Sequence, residues 1–213
     1  MYKHFFKRFF DLVLSLLMLV VSSPILLITA IAIKVESKGP AIFIQQRVGK
    51  GGKVYDMYKF RSMCVGAEQQ EGGVFCKKGD ARVTKVGAFI RATSIDELPQ
   101  LVNIIKGEMS LIGPRPVLTY YPKEWSEYTQ EELKRFDVLP GVTGWAAVHG
   151  RKTNTVEARF AYDNYYVENL SFGLDIKIFF LTIKSVLSNE GNEDDGASEV
   201  KTENSEKQQE VTK

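Results

Sequence analysis

The pattern of hydrophobic and polar positions splits the chain sharply near residue 36. From Leu12 to Ile33 it reads LVLSLLMLVVSSPILLITAIAI without a charge, flanked by Lys3, Lys7 and Arg8 before and by Lys34 and Lys38 after. A straight helix of that length measures roughly 33 Å, enough to cross a hydrocarbon core. A cleaved signal peptide fits poorly, because its apolar core is about 7–15 residues and Ser22-Ser23-Pro24 offers no clean cleavage site. A spanning helix and a re-entrant one compete more closely. Pro24 lies mid-run, where it removes a helical hydrogen bond, and basic residues on both flanks draw both ends to the cytoplasmic side. A helix-break-helix hairpin, broken at Ser23-Pro24 into arms of roughly 16 Å, satisfies both details. The Ser22 or Ser23 hydroxyl would then bond carbonyls freed near Pro24. On the residues alone the spanning and re-entrant readings stay near parity, with a slight lean to a re-entrant membrane hairpin over residues 1–36.

After Gly39-Pro40 the pattern changes. AIFIQQRVGKGGKVYDMYKF alternates as two short strands around the turn Gly49-Lys50-Gly51-Gly52. The phosphate-loop pattern Gly-x-x-x-x-Gly-Lys-Ser/Thr is absent, so the glycines read as a hairpin turn. Residues 64–80 read as a surface loop. Ile95, Leu98, Leu101, Val102 and Ile105 recur at helical spacing and Gly107 closes that helix. SLIGPRPVL is too proline-rich for regular structure, 123–136 reads as a polar helix, and LPGVTGWAAVHGR as loop or short strand. TVEARFAYDNYYVEN is helical, and LDIKIFFLTIKSVL is an apolar amphipathic helix suited to a packed core or to the membrane interface. The expected fold class is α+β: the hairpin anchor, then a compact cytoplasmic domain over 37–188 with interfacial helices and a small β-hairpin, then a tail over 189–213.

Composition adds two constraints. With 213 residues, 44% hydrophobic and 25% charged, the chain is ordinary globular stock. Cys64 and Cys76 are its two cysteines and His4 and His149 its two histidines, which excludes a Cys/His zinc site and a disulfide framework. The net charge of +2 is unevenly spread: residues 189–213 hold eight acids against three lysines, and residues 1–60 hold nine Lys/Arg against three acids. The basic end is also the apolar end, which points to a membrane surface. The acidic tail lacks aromatics and reads as disordered.

Candidate chemistry gathers in TSIDELPQ. Asp96 and Glu97 are adjacent acids at a helix start, and Ser94-x-x-Glu97 matches a capping box, the plain structural account. Pro99 disturbs that account, since a cap at Ser94 would place it where a helical N–H is needed; a start nearer Asp96 would leave both acids on an irregular, exposed turn. A carboxylate at a helix N-terminus is held ionised, as a nucleophile must be. Lys59, Arg61, Arg91, Arg115 and Arg151 all lie beside rigid or tightly turning backbone. Singly each reads as a solvated surface charge, except that Arg115, between Pro114 and Pro116, is preorganised for bidentate phosphate recognition. Acids among such cations suit phosphoryl transfer, with Mg²⁺ bridging carboxylate and pyrophosphate.

Four segments, FDLVLSLLMLVVSSPILL, QQRVGKGGKVYDMYKFRSM, TSIDELPQLVNIIKGEMSLIGPRP and LPGVTGWAAVHGR, closely resemble the bacterial monotopic phosphoglycosyl transferases, in order and spacing, across about residues 5–187. The chain is similar to their small catalytic-core subgroup. The resemblance implies an enzyme at the cytoplasmic face of the bacterial inner membrane. An aspartate attacks the β-phosphorus of a UDP-sugar, UMP leaves, and undecaprenyl or a similar polyprenol phosphate takes the phosphosugar from the covalent intermediate. It assigns Asp96 as nucleophile, Glu97 as its partner and Mg²⁺ to these acids. Lys59, Arg91, Arg115 and Arg151 become phosphate cations, with Arg61 alongside them. Pro114 and Pro116 fix Arg115, and Ser23-Pro24 makes the break. An N-acetylated amino sugar is the family-level substrate expectation. Membrane lipids are expected partners, nucleic acid is not, and a homodimer is left open. Where the family commonly has Gln and Asn, this chain has Ala147 and His149, which leaves nucleotide or sugar contacts there in doubt and His149 open between a general base and a structural or substrate-edge role. The rival class is a non-enzymatic membrane adaptor.

Overall fold

The computed structural model describes residues 2–70, 73, 76, 79–149 and 155–187. Arg151 and the acidic tail over 189–213 lie outside the described residues. Helix α1 spans Lys7–Glu36 as one α-helix with Pro24 inside it. The two arms expected on either side of a break at Ser23-Pro24 are thus replaced by a single helical run. The reason is local: Pro24 has no N–H for the Val20 carbonyl, and Ser23 Oγ donates to that oxygen at 2.7 Å instead, while Ser22 Oγ donates to Met18 O at 2.6 Å.

The amphipathicity of α1 is inverted. Its buried residues are Lys7, Asp11, Ser15, Thr29 and Ile33, whereas Leu17, Val20, Val21, Leu27 and Ile28 are all more than half exposed. The polar stripe faces the domain, where its charged members are paired, whereas the buried Ser15 hydroxyl has no hydrogen-bond partner. Lys7 Nζ meets Asp175 at 2.9 Å, Arg8 donates to the carbonyls of Ile104 and Ile105, and Asp11 accepts from Leu111 N. Further along, Leu19 packs onto the cluster of Tyr55, Met57, Leu101, Ile104 and Met109, and Leu26 and Ala30 onto that of Ile33, Ala41, Phe60 and Ile90. The helix therefore touches the domain at its start, middle and end.

The hairpin forms as its alternation requires. Strands β1 (Ile42–Val48) and β2 (Val54–Phe60) pair antiparallel from Ile42↔Phe60 to Val48↔Val54, and Gly51 and Gly52 supply the positive φ of the turn. Helices α2 (Lys85–Ala92) and α3 (Gln100–Lys106) follow, the latter closed by Gly107 at φ 88°. The proline-rich stretch carries two short strands, β3 (Ser110–Ile112) and β4 (Val117–Leu118), and β4 completes a sheet of order β2-β1-β4. The polar helix expected over 123–136 is instead two 3₁₀ turns about a four-residue α4 (Gln130–Leu133), started by a Thr129/Glu132 capping box. Strand β5 (Gly141–Thr143) pairs parallel with β3, and α5 (Trp145–His149), α6 (Val156–Asn169) and α7 (Phe172–Leu187) complete the domain.

One side chain substitutes for a missing strand at the outer edge of β2. Asn103, fully buried on α3, accepts from Tyr58 N at 3.0 Å and donates to Asp56 O at 2.7 Å and to Glu108. Residues two apart present their peptide groups on the same edge, so one amide bonds both as a neighbouring strand would. Asn103→Ala should cost on the order of 2 kcal/mol by orphaning these groups. Chemical unfolding in detergent checks this, and an unchanged midpoint would refute the strand-substitute role.

Candidate active site

The site is assembled by three elements that meet at the foot of α1. α2 ends at Thr93, whose hydroxyl bonds Phe89 O, and the chain then reverses through Ser94 at φ 56°, ψ 18°. Ser94 is the one non-glycine with positive φ among the described residues. A left-handed serine costs about 1–2 kcal/mol, and strain of this kind clusters where geometry serves chemistry. The capping box expected at Ser94 does not form, and Ser94 makes no side-chain cap. Asp96 and Glu97 lie instead on the 3₁₀ turn Ile95–Glu97, and α3 starts only after Pro99. A helix start nearer Asp96 is not found either: the helix waits until Gln100, and the acids are half-buried on the turn and not exposed.

Glu97 Oε1 pairs with Lys59 Nζ of β2 at 2.9 Å, both side chains about one-fifth exposed. Asp96 feels burial first and the Glu97 charge second, which together push its carboxyl from an ordinary 3.8 up to about 6, while Lys59 and Arg91 pull it down. Holding by a helix dipole, the reason expected for its ionisation, is thus outweighed. Asp96 is mostly ionised at neutral pH because Lys59 and Arg91 limit the rise.

The other candidate cations separate. Arg61 does not join the acids. Its guanidinium, 6% exposed, donates to Lys38 O at 2.7 Å, Ser37 O at 2.8 Å and Ser37 Oγ at 2.9 Å, so the expected phosphate role is corrected to a clamp on the end of α1. Arg115 lies in a second basic group. Arg135 Nη2 donates to Arg115 O at 2.7 Å and to Asp163 at 2.7 Å, Arg47 Nη1 donates to Pro116 O at 3.1 Å, and the Arg115 charge acts on Arg47 and Asp163. Gly113 fixes this loop. Its N–H bonds Thr143 O at 2.8 Å, and a Cβ there would sit 2.4 Å from Leu139 O. The GPRP and LPGVTG segments are therefore locked together at glycine. His149 lies against Trp145, ring centroids 3.7 Å apart, with Nδ1 3.2 Å from Trp145 O.

Arg47, Asn103, the Arg135–Asp163 pair and the contact of Lys7 with Asp175 went unread in the sequence. Only Asn103, a polar residue inside an apolar helical repeat, left a signal there.

Asp96 and Glu97 are hard oxygen donors of like charge, and a divalent cation would relieve the repulsion that raises Asp96. Among the described residues no group of three or more His, Cys, Asp or Glu could hold a metal. Two acids leave most of an octahedral shell open, so a Mg²⁺ held by this pair would need further oxygens from a phosphate or water.

This is an acidic pair in a basic frame, beside a helix apolar enough to cross a membrane, with mean hydropathy 2.6 over its best window. Those features set a cation-framed acidic pair next to a helix suited to membrane association. The model of the bacterial sugar transferase family matches residues 2–189, and the chain belongs to that family. The UDP-N-acetylgalactosamine-undecaprenyl-phosphate N-acetylgalactosaminephosphotransferase of Aeromonas hydrophila is 44% identical over 190 residues, covering 88% of this chain and 45% of that protein. A UDP-glucose:undecaprenyl-phosphate glucose-1-phosphate transferase of Klebsiella pneumoniae is 44% identical over 183 residues, 84% of this chain and 39% of its own length. The uncharacterized sugar transferase EpsL of Bacillus subtilis (strain 168) is 42% identical over 186 residues, 87% of this chain and 89% of its own length. The chain thus spans less than half of the first two relatives and about nine-tenths of the third.

The folded Asp96 carboxyl binds a proton more readily than an unfolded one, so ionising it weakens the fold as pH rises from about 4 to 6. Asp96→Asn should therefore raise stability at pH 7 by on the order of 1–3 kcal/mol and change it little near pH 4. Thermal unfolding at both pH values checks this; equal effects at the two would contradict it. In a carbon-13 carboxyl titration, Lys59→Met should move the Asp96 midpoint above its wild-type value.

Proposed function

We propose that the chain transfers a sugar 1-phosphate from a UDP-sugar to undecaprenyl phosphate or a similar polyprenol phosphate. The observation that carries this reading is the position of Asp96, on a strained turn between Lys59 and Arg91 at the foot of an apolar helix. An ionised Asp96 oxygen attacks the β-phosphorus, a P–O bond to the carboxylate forms, and the bond to the α-phosphate oxygen breaks, releasing UMP with its electron pair. A phosphate oxygen of the polyprenol phosphate then attacks the same phosphorus, giving the polyprenyl diphosphate sugar and restoring the Asp96 carboxylate. Lys59 holds Glu97 beside the nucleophile, and Lys59 and Arg91 offset charge built up on the phosphoryl oxygens. Arg115, held at its carbonyl by Arg135, takes the second phosphate. Mg²⁺ at Asp96 and Glu97 supplies further charge neutralisation when bound. The two relatives named for their sugars act on N-acetylgalactosamine and glucose. Of these, the N-acetylated amino sugar is our proposed donor.

The membrane arrangement proposed is monotopic, with the continuous helix α1 embedded from the cytoplasmic face without crossing the bilayer. A helix held to its domain at start, middle and end does not traverse a bilayer without dragging buried ion pairs into hydrocarbon. α7 supports the same surface. Phe172, Ile176, Phe179, Phe180 and Ile183 form an exposed stripe, and Phe172 lies 5.9 Å from Phe10 of α1, ring centroid to centroid. The adaptor reading gives no account of a carboxylate buried among cations on strained backbone.

Incubation with a panel of UDP-sugars and undecaprenyl phosphate should release UMP, and Asp96→Asn should abolish both UMP and a trappable phosphosugar adduct. UMP or adduct persisting in Asp96→Asn removes Asp96 as nucleophile, and silence of the wild type across the panel favours the adaptor. Cysteines placed at Lys3 and Lys38 should both react only from the cytoplasmic side; labelling of either from outside would refute the monotopic path.

A further inference from the structure

The end of α1 is tied separately to the two elements that supply cations to Asp96. The Glu36 carboxylate takes the first N–H groups of α2, accepting from Lys85 N at 2.7 Å and Val86 N at 3.0 Å. Thr84 already caps that helix through Gly87 N, so Glu36 adds acceptors where four donors lack intrahelical partners. α2 carries Arg91 in its last turn and hands the chain to Ser94 and Asp96. On the other side Arg61, two residues after Lys59, bonds the carbonyls of Ser37 and Lys38. Gly39 leaves it room at φ 116°, for a Cβ there would lie 2.2 Å from Arg61 Nη1. Between the two ties sits one hydrophobic cluster: Ile33 of α1, Phe60 of β2, Ile90 of α2 and, packed against them, Ile95. Phe60, Ile90 and Ile95 are the sequence neighbours of Lys59, Arg91 and Asp96.

We propose that Glu36 and Arg61 are positioning residues, which lock the end of the apolar helix to α2 and β2 and so fix Arg91 and Lys59 about the reacting carboxylate. This rests on the proposed transferase reading and adds the route by which the membrane anchor sets the geometry of the site. Neither residue touches the reacting atoms. Both determine where the cations stand, and misplacement by about 1 Å can cost on the order of 100-fold in rate.

The test uses the full chain in lipid bicelles with Glu36→Ala, Glu36→Gln, Arg61→Ala and Arg61→Lys, read in two ways. In single-turnover UMP release, the Ala variants should slow the rate constant ~10–100-fold at an undiminished amplitude of active sites, with KM for the UDP-sugar moving far less. Glu36→Gln, which keeps one acceptor oxygen, should fall in between, and Arg61→Lys should not recover, since an ammonium lacks the two-pronged guanidinium fork. An unchanged rate constant overturns the proposal, whether amplitude falls, as for a purely structural role, or stays constant. The second readout needs no turnover. Hydrogen exchange should quicken in peptides covering 85–97 while those from α6 and α7 stay protected, and unaltered protection at 85–97 overturns the coupling. A silent wild type with quickened exchange would sink the transferase reading and leave the coupling standing.

Discussion

Ile33, Phe60 and Ile90, each no more than 3% exposed, form the contact on which the rest of the structure depends. They come from three elements far apart in sequence, and burying each stabilises by about 1.5–3 kcal/mol. The hydrophobic term is non-directional, so by itself it would allow the elements to slide. Direction comes from the polar bonds around it: Asn103 against the edge of β2, Glu36 on the start of α2, and the Arg61 fork on the end of α1. The charged residues of the site stand at the rim of this cluster, held by the backbone of its members.

That scaffold carries a local cost. Ser94 occupies left-handed backbone, and Asp96 is partly buried next to another carboxylate. Neither stabilises the fold, and both serve the proposed role of the Asp96 carboxylate as a nucleophile toward phosphorus. Such conflicts between local preference and global structure concentrate at functional sites, and the surrounding cluster is what tolerates them. The buried Arg135–Asp163 pair, with both side chains no more than 3% exposed, has a similar standing. Burying an ion pair gains little net stability, but here it holds the Arg115 carbonyl and so fixes the loop that carries the proposed phosphate-binding Arg115.

The hairpin, α3 and its Gly107 stop, α6 and α7 were legible in the sequence because each carries its own periodicity and punctuation. Asp96 and Glu97 were legible as a pair, and the Pro99 conflict signalled that the ordinary cap would fail. Lys59 and Arg61 show where such reading stops. They are two apart on one stretch, alike in charge, and nothing local tells that one meets Glu97 and the other meets the end of a helix more than twenty residues upstream. Pro24 shows a different limit. Its cost to a helix is real, but the adjacent Ser23 hydroxyl fills the vacated bond, so the helix continues where a break was expected. Lys7 and Asp175, 168 residues apart, were out of reach of any local pattern.

The inverted amphipathicity of α1 connects fold to function. In a water-soluble domain an apolar stripe faces inward, whereas here Lys7, Asp11, Ser15 and Thr29 face inward beside Leu19, Leu26 and Ile33, and Leu14, Leu16, Leu17, Leu27 and the exposed valines face out. A surface of that kind has its free-energy minimum against lipid, and Phe172, Phe179 and Phe180 of α7 extend it. The inward polar stripe in turn keeps the domain against the helix, because Lys7 and Asp11 would be unpaired in hydrocarbon if the two parted. The same helix that seeks the bilayer is thereby bound to the elements that hold Asp96. A reaction whose acceptor has its phosphate at the headgroups and its tail in the acyl region requires this pairing of lipid affinity with a fixed aqueous site.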